Sequence, residues 1–218
     1  MPLPVTAFKT ATIRGTHAKY ADARSLLVPE KADIDITAEL QHVLKWAEVN
    51  ELYINTAKTK EFVFHRQNLR NFIAPDNIPG IDRVACAKLL GVWLQDDIGA
   101  RKHCYYILKI CNQRLYLLNL LQKQGLPQLQ LQTVFHAILI ARLLYATPAW
   151  RGFASAADIV CIQCTLVKAK RWQLMSRDYN FMDMLNDCDI ALYKAACNTN
   201  HCLNHLFKPK QRFHDMIL

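Results

Sequence analysis

The 218-residue chain is poor in glycine, with six residues in all. A loop that cradles phosphate with successive backbone N–H groups needs glycine for close approach, so a nucleotide-binding loop of that kind is not expected. Neither Gly-x-Ser-x-Gly nor His-Glu-x-x-His occurs, which sets aside two common hydrolase signatures. No run of about eighteen uninterrupted apolar residues exists, so no membrane span is expected. The most apolar stretch, Ala137–Ala141, lies between His136 and Arg142. The N-terminus alternates apolar and polar residues and lacks the long hydrophobic region of a secretory signal. These absences lead us to expect an intracellular protein, cytoplasmic or nuclear, neither secreted nor held at a membrane. Acids are scarce in two places. None falls between Met1 and Ala21, and residues 99–218 hold 6 Asp and Glu against 15 Lys and Arg.

An apolar share of 52% is ample for a core, in one domain or two small ones. The formal charge of +9 comes entirely from the C-terminal half, because residues 1–98 balance 12 bases with 12 acids. Such asymmetry fits a surface that meets a polyanion, or a generally basic helical domain. Eight cysteines are present. Inside a cell they stay thiols. Cys161 and Cys164 have a zinc-like spacing, but their surroundings read as helix, and His201-Cys202 is the sole candidate second pair. Buried or half-buried helix thiols are the simpler reading.

The pattern changes along the chain. Lys19-Tyr20 and Arg24 to Val28 read as strands around a tight turn at Ala21-Asp22-Ala23. Ile36, Leu40, Val43 and Ala47 recur at four, three and four, which predicts a helix over about 34–49, with Asp33 and Asp35 favouring its start. Glu61 to His65 reads as a strand and Gln67 to Asn77 as a loop. Pro79-Gly80 reads as a turn, and Ile81–Val84 with Lys88–Leu94 as a hairpin-like pair. From Gly99 the chain reads as helices. Leu108, Cys111, Leu115 and Leu118 form one stripe. Gly125 and Pro127 separate it from a helix over 128–145, with Leu131, Val134, Phe135, Ile138 and Leu139 inward and Pro148 at its end. A third helix is expected over 156–172, with shorter pieces beyond.

Three blocks in order carry a family resemblance. The first is Tyr20-Ala21-Asp22-Ala23 before the apolar Ser25-Leu26-Leu27-Val28. The second is Trp46-Ala47-Glu48-Val49-Asn50, Leu52-Tyr53-Ile54-Asn55 and Lys58-Thr59-Lys60-Glu61 leading into Phe62-Val63-Phe64. The third is Lys88-Leu89-Leu90-Gly91-Val92-Trp93-Leu94. Together they resemble the palm of a reverse transcriptase from a jockey-like non-LTR retrotransposon, where the first block reads Tyr-x-Asp-Asp. The resemblance implies an α+β fold: a partial palm over 18–98, with a small antiparallel sheet and a packed helix, then a thumb-like all-helical region over 99–218. Residues 1–17 do not align. The family's fingers and first catalytic aspartate precede the Tyr-x-Asp-Asp hairpin, so the resemblance implies a truncated, degenerate fragment.

The family's reaction is RNA-directed DNA synthesis. A primer 3′-hydroxyl attacks a nucleotide α-phosphate between two Mg²⁺ ions held by carboxylates. By resemblance Asp22 is a remnant metal ligand, or simply a turn-forming residue. Its partner position holds Ala23, whose methyl offers no oxygen, and Arg24 adds a repelling charge beside it. This chain is therefore expected to be catalytically inactive, without a cofactor of its own. Lys58 and Lys60 would lie near the incoming triphosphate, or on a solvated loop. Gly91 and Trp93 resemble the hairpin turn that grips the primer. Lys102, Lys109, Arg114, Lys123, Lys168, Lys170 and Arg171 are candidates for phosphate contacts, which fix position without reading sequence. RNA or DNA is thus the expected partner. A nucleic-acid-binding module without chemistry and an inert remnant are the alternatives.

Overall fold

A computed structural model describes residues 16–20, 23–28, 35–65, 73–175 and 177–206. The chain is mixed α+β, and its contacts divide it into two compact units. One takes the described residues up to Val63 together with Ile73–Val84. The other takes Phe64, His65 and the described residues from Ala85 onward.

In the first unit, strands β1 (Thr16–Tyr20) and β2 (Ala23–Leu27) pair antiparallel, with Thr16 opposite Leu27 and Tyr20 opposite Ala23. The expected turn residues Ala21 and Asp22 lie outside the described residues, and Ala23 opens β2. Helix α1 spans Ile36–Val49. It starts where the Asp35 carboxylate accepts the Thr37 N–H at 3.0 Å, which satisfies one of the orphan donors of a helix N-terminus. Asp33 lies outside the described residues. Val43 and Ala47 are buried and Ile36 and Leu40 half-buried, as the spacing predicts. Asn50 ends the helix, its side-chain amide donating to the Trp46 carbonyl.

The strand expected over Glu61–His65 is shorter. Only Lys60–Glu61 (β3) pairs, in parallel, with Asp82–Arg83 (β4). The chain leaves that pairing quickly: Phe64 and His65 belong to the second unit, where the His65 N–H donates to the Asp96 carbonyl at 2.8 Å. The Pro79-Gly80 turn, with Gly80 at φ +79°, precedes the arrival of β4 beside β3.

The second unit opens with a hairpin, β5 (Cys86–Leu89) and β6 (Val92–Gln95), in antiparallel register from Cys86↔Gln95 to Leu89↔Val92. The expected pairing of Ile81–Val84 with Lys88–Leu94 does not form. Asp82–Arg83 is taken by β3, and Leu90-Gly91 supplies a tight turn between adjacent strands. Both turn residues have positive φ, +47° and +85°, the requirement of a two-residue turn matched to strand twist.

Helix α2 (Arg101–Lys123) buries Cys104, Ile107, Cys111, Leu115 and Leu118. Gly125, at φ +87°, and Pro127 then separate it from a long rod. That rod is α3 (Gln128–Phe135), one wide π turn (His136–Ile140) and α4 (Ala141–Leu144). It stops at an extended Tyr145 and a left-handed Ala146. Pro148 is not its end but sits in the first turn of α5 (Thr147–Trp150), where the missing N–H would have no helical partner anyway. Among the described residues, Gln128–Phe153 is long and apolar enough to cross a membrane by composition, with mean hydropathy 1.3. Its stripe Leu131, Phe135, Leu139 and Leu143 is nevertheless fully buried in this unit's own core. Helix α6 (Ala156–Arg171) starts on a reciprocal Ser155–Asp158 capping box. With α7 (Phe181–Ala196) it closes the core through Ile162, Leu166, Phe181 and Leu185.

Candidate functional site

Three basic side chains, Lys88, Lys102 and Arg142, stand over aromatic rings where the β5–β6 hairpin meets α2. Lys102, in the first turn of α2, places its amine 4.3 Å from the centre of the Trp93 ring and donates to Cys86 Sγ. Its backbone N–H donates to Gln95 Oε1 at 2.7 Å. One helical turn on, Tyr106 receives a hydrogen bond from Lys88 Nζ at 3.1 Å and lies under both Lys88 and the Arg142 guanidinium. Arg142 also stands over Tyr145. The Tyr145 hydroxyl donates to the Leu90 carbonyl at 2.8 Å, which fixes the hairpin turn. A Cβ on Gly91 would come within 3.2 Å of the Tyr145 ring, so glycine there serves both the turn and this close approach.

His103 is the buried pivot of the cluster. Its Nδ1 accepts the Trp93 backbone N–H at 3.3 Å. The neutral ring therefore carries its proton on Nε2, which is buried without a hydrogen-bond partner and lies beside the Trp150 ring. Burial first, then the charges of Arg142 and Lys88, pull the imidazole pKa down to about 4. Tyr106 is held below the ordinary phenol range, chiefly by the hydrogen bond from Lys88. The leading causes differ, and the charges of Arg142 and Lys88 add a smaller downward contribution to both groups.

The arrangement has fixed positive charges, two of them on flexible lysines and one on a planar guanidinium. Among the described residues no group of three or more metal-ligating side chains occurs. What the cluster offers is attraction for anionic oxygens through Lys88, Lys102 and Arg142.

The residues expected from sequence are thus partly united. Gly91, Trp93 and Lys102 belong to this cluster. Arg114 faces inward, donating to the Ile138 carbonyl in the π turn, and Lys109 is exposed on α2. Lys168, Lys170 and Arg171 lie at the end of α6, where Lys168 covers the Trp172 ring and Lys170 pairs with Asp178 at 2.6 Å. In the first unit Lys58 is exposed, and Lys60 pairs with Asp82 at 2.7 Å. Asp22 lies outside the described residues. Cys161 and Cys164 are free thiols on α6, exposed rather than buried or half-buried as expected, because the helix turns other residues, Ile162 and Thr165, inward. Sequence reading missed Lys88, His103, Tyr106, Arg142 and Tyr145. The i,i+4 spacing of Lys102 and Tyr106 was visible, but which helices would face the hairpin was not. Comparison with protein-family models, curated proteins and solved structures finds no match.

Proposed function

We propose that this chain is a catalytically silent relative of the reverse transcriptases of non-LTR retrotransposons, and that it holds RNA or DNA by the phosphate backbone. The observation that carries the reading is the convergence of Lys88, Lys102 and Arg142 on one hairpin–helix junction, in the half of the chain with the charge surplus. The Trp93 and Tyr106 rings carry the chain's own cations, which leaves charge rather than open ring faces to meet a ligand. Contacts of that kind position a nucleic acid without selecting its sequence. The silent chemistry follows from Ala23. At the resembling hairpin a methyl stands where the family has a carboxylate, and a two-metal centre needs carboxylate oxygens. Primer extension on a primed RNA template with Mg²⁺ or Mn²⁺ tests this. No template-dependent product above a protein-free blank is expected; extension would overturn it.

A further inference from the structure

The eight cysteines differ in their surroundings. Cys104 and Cys111 are fully buried, and burial pushes their thiols up to about 12 and about 11; neither ionises readily or meets a solute. Cys161, Cys164, Cys197 and Cys202 are exposed. Cys86 is half-buried on β5, and among the described residues it is the cysteine that a lysine amine touches, through the Lys102 contact. That amine is held in place from two further sides. Trp93 lies under it, and the backbone of Lys102 is tied to Gln95 on the hairpin.

We propose that Cys86 and Lys102 form a peroxide-sensitive covalent clasp, a sulfenamide that joins β5 to α2. The Cys86 sulfur attacks one oxygen of hydrogen peroxide, the O–O bond breaks, and water leaves, giving a sulfenic acid. The deprotonated Lys102 Nζ then attacks that sulfur. The S–O bond breaks, the oxygen departs as a second water, and an S–N bond remains. Peroxide is the two-electron oxidant, sulfur is oxidised, and one proton is released to solvent. Sulfenic acids condense reversibly with backbone nitrogen to a sulfenamide, and here the lysine amine takes the place of that nitrogen. The preformed contact supplies the proximity that lets an intramolecular amine compete with free thiols. Closing the clasp removes one positive charge from the basic cluster. That consequence, unlike the bond itself, rests on the phosphate-binding reading above.

The test is mass spectrometry on the full chain after brief hydrogen peroxide treatment. The expected result is a Cys86–Lys102 cross-linked peptide, about 2 Da lighter than the sum of its parts and reversed by dithiothreitol. Lys102→Arg keeps the charge, and there Cys86 should instead be captured as the sulfenic acid by dimedone. Finding Cys86 unmodified, captured by dimedone equally in both proteins, or oxidised to sulfinic acid without a cross-link would overturn the proposal. RNA affinity of the cross-linked chain separates the two readings. A clasp that forms and leaves affinity and salt slope unchanged keeps the bond and removes the phosphate-binding role of Lys102.

Discussion

In the unit that holds α1, Val43, Ala47 and Ile78 are the buried apolar side chains among the described residues, and each keeps 3–8% of its surface. In the unit that holds α2, Leu115, Leu118, Leu131, Phe135, Leu139, Leu143 and Leu166 keep none. The first unit leans on polar devices. Glu61 is buried, pairs with Arg83 at 2.7 Å and accepts the Ile78 N–H at 3.3 Å. Arg83 also donates to the Pro75 and Asp76 carbonyls. The second unit has a continuous apolar core and buries the polar side chains His103, Thr147 and Thr165. Both units bury a polar atom without a partner, Glu39 Oε2 in the first and His103 Nε2 in the second, and only the second surrounds it with a continuous apolar core. Burying a neutral His103 without a partner for Nε2 carries a cost.

The comparison can be broken most forcefully at the core. Phe135→Ala should destabilise the second unit by about 3–5 kcal/mol, because a large ring leaves a cavity that packed helices close only in part. Val43→Ala, on a side chain already touching solvent, should cost about 1 kcal/mol. Chemical denaturation of both variants measures the difference, and equal losses would erase the distinction drawn here.

Next in size is the pH response of His103. Its folded pKa, about 4, lies below the ordinary 6.5. The unfolded chain therefore binds the proton first as pH falls. The stabilisation is fully present above about 6.5 and is lost between there and about 4, an effect on the order of 3 kcal/mol. Denaturation midpoints across that window should fall for the natural chain and fall less for His103→Gln. A parallel fall in both would remove His103 as the cause.

Glu61→Gln sharpens the comparison from the other side. It removes the charge that Arg83 pairs with and weakens the acceptor of the Ile78 N–H. Hydrogen exchange at Ile78 should quicken while amides in α2 stay protected. Faster exchange in both places would mean that the pair supports the whole chain. The smallest expected effect is at the capping box: Ser155→Ala should cost about 1 kcal/mol in the second unit, read by thermal or chemical denaturation.

Much of the second unit was legible beforehand. The stripe Leu108, Cys111, Leu115, Leu118 and the inward Leu131, Val134, Phe135, Ile138 and Leu139 follow from helical spacing; Leu108, Val134 and Ile138 are half-buried against the core and the others are fully buried. Less legible was whatever depends on partners distant in sequence. Glu61–His65 has the alternation of a strand, but a strand needs a neighbour, and only Asp82–Arg83 arrives. Pro148 reads as a stop because proline breaks helices, yet the break comes earlier, at Tyr145 and Ala146, and proline then begins the next turn. Of the site, the hairpin glycine and tryptophan and Lys102 were legible as local pattern. Tyr145 reaches the hairpin turn at Leu90 from 55 residues away in sequence, and Arg142 meets Tyr106 of α2, separations that spacing alone does not bridge.

The most direct test of the account is the affinity of the full chain for an RNA–DNA duplex measured across a salt series. Logarithmic affinity should fall linearly with logarithmic salt, because phosphates neutralised by Lys88, Lys102 and Arg142 release counterions, and Lys88→Gln should reduce the slope by about 1. Absence of binding at low salt, or an affinity indifferent to salt, would contradict it.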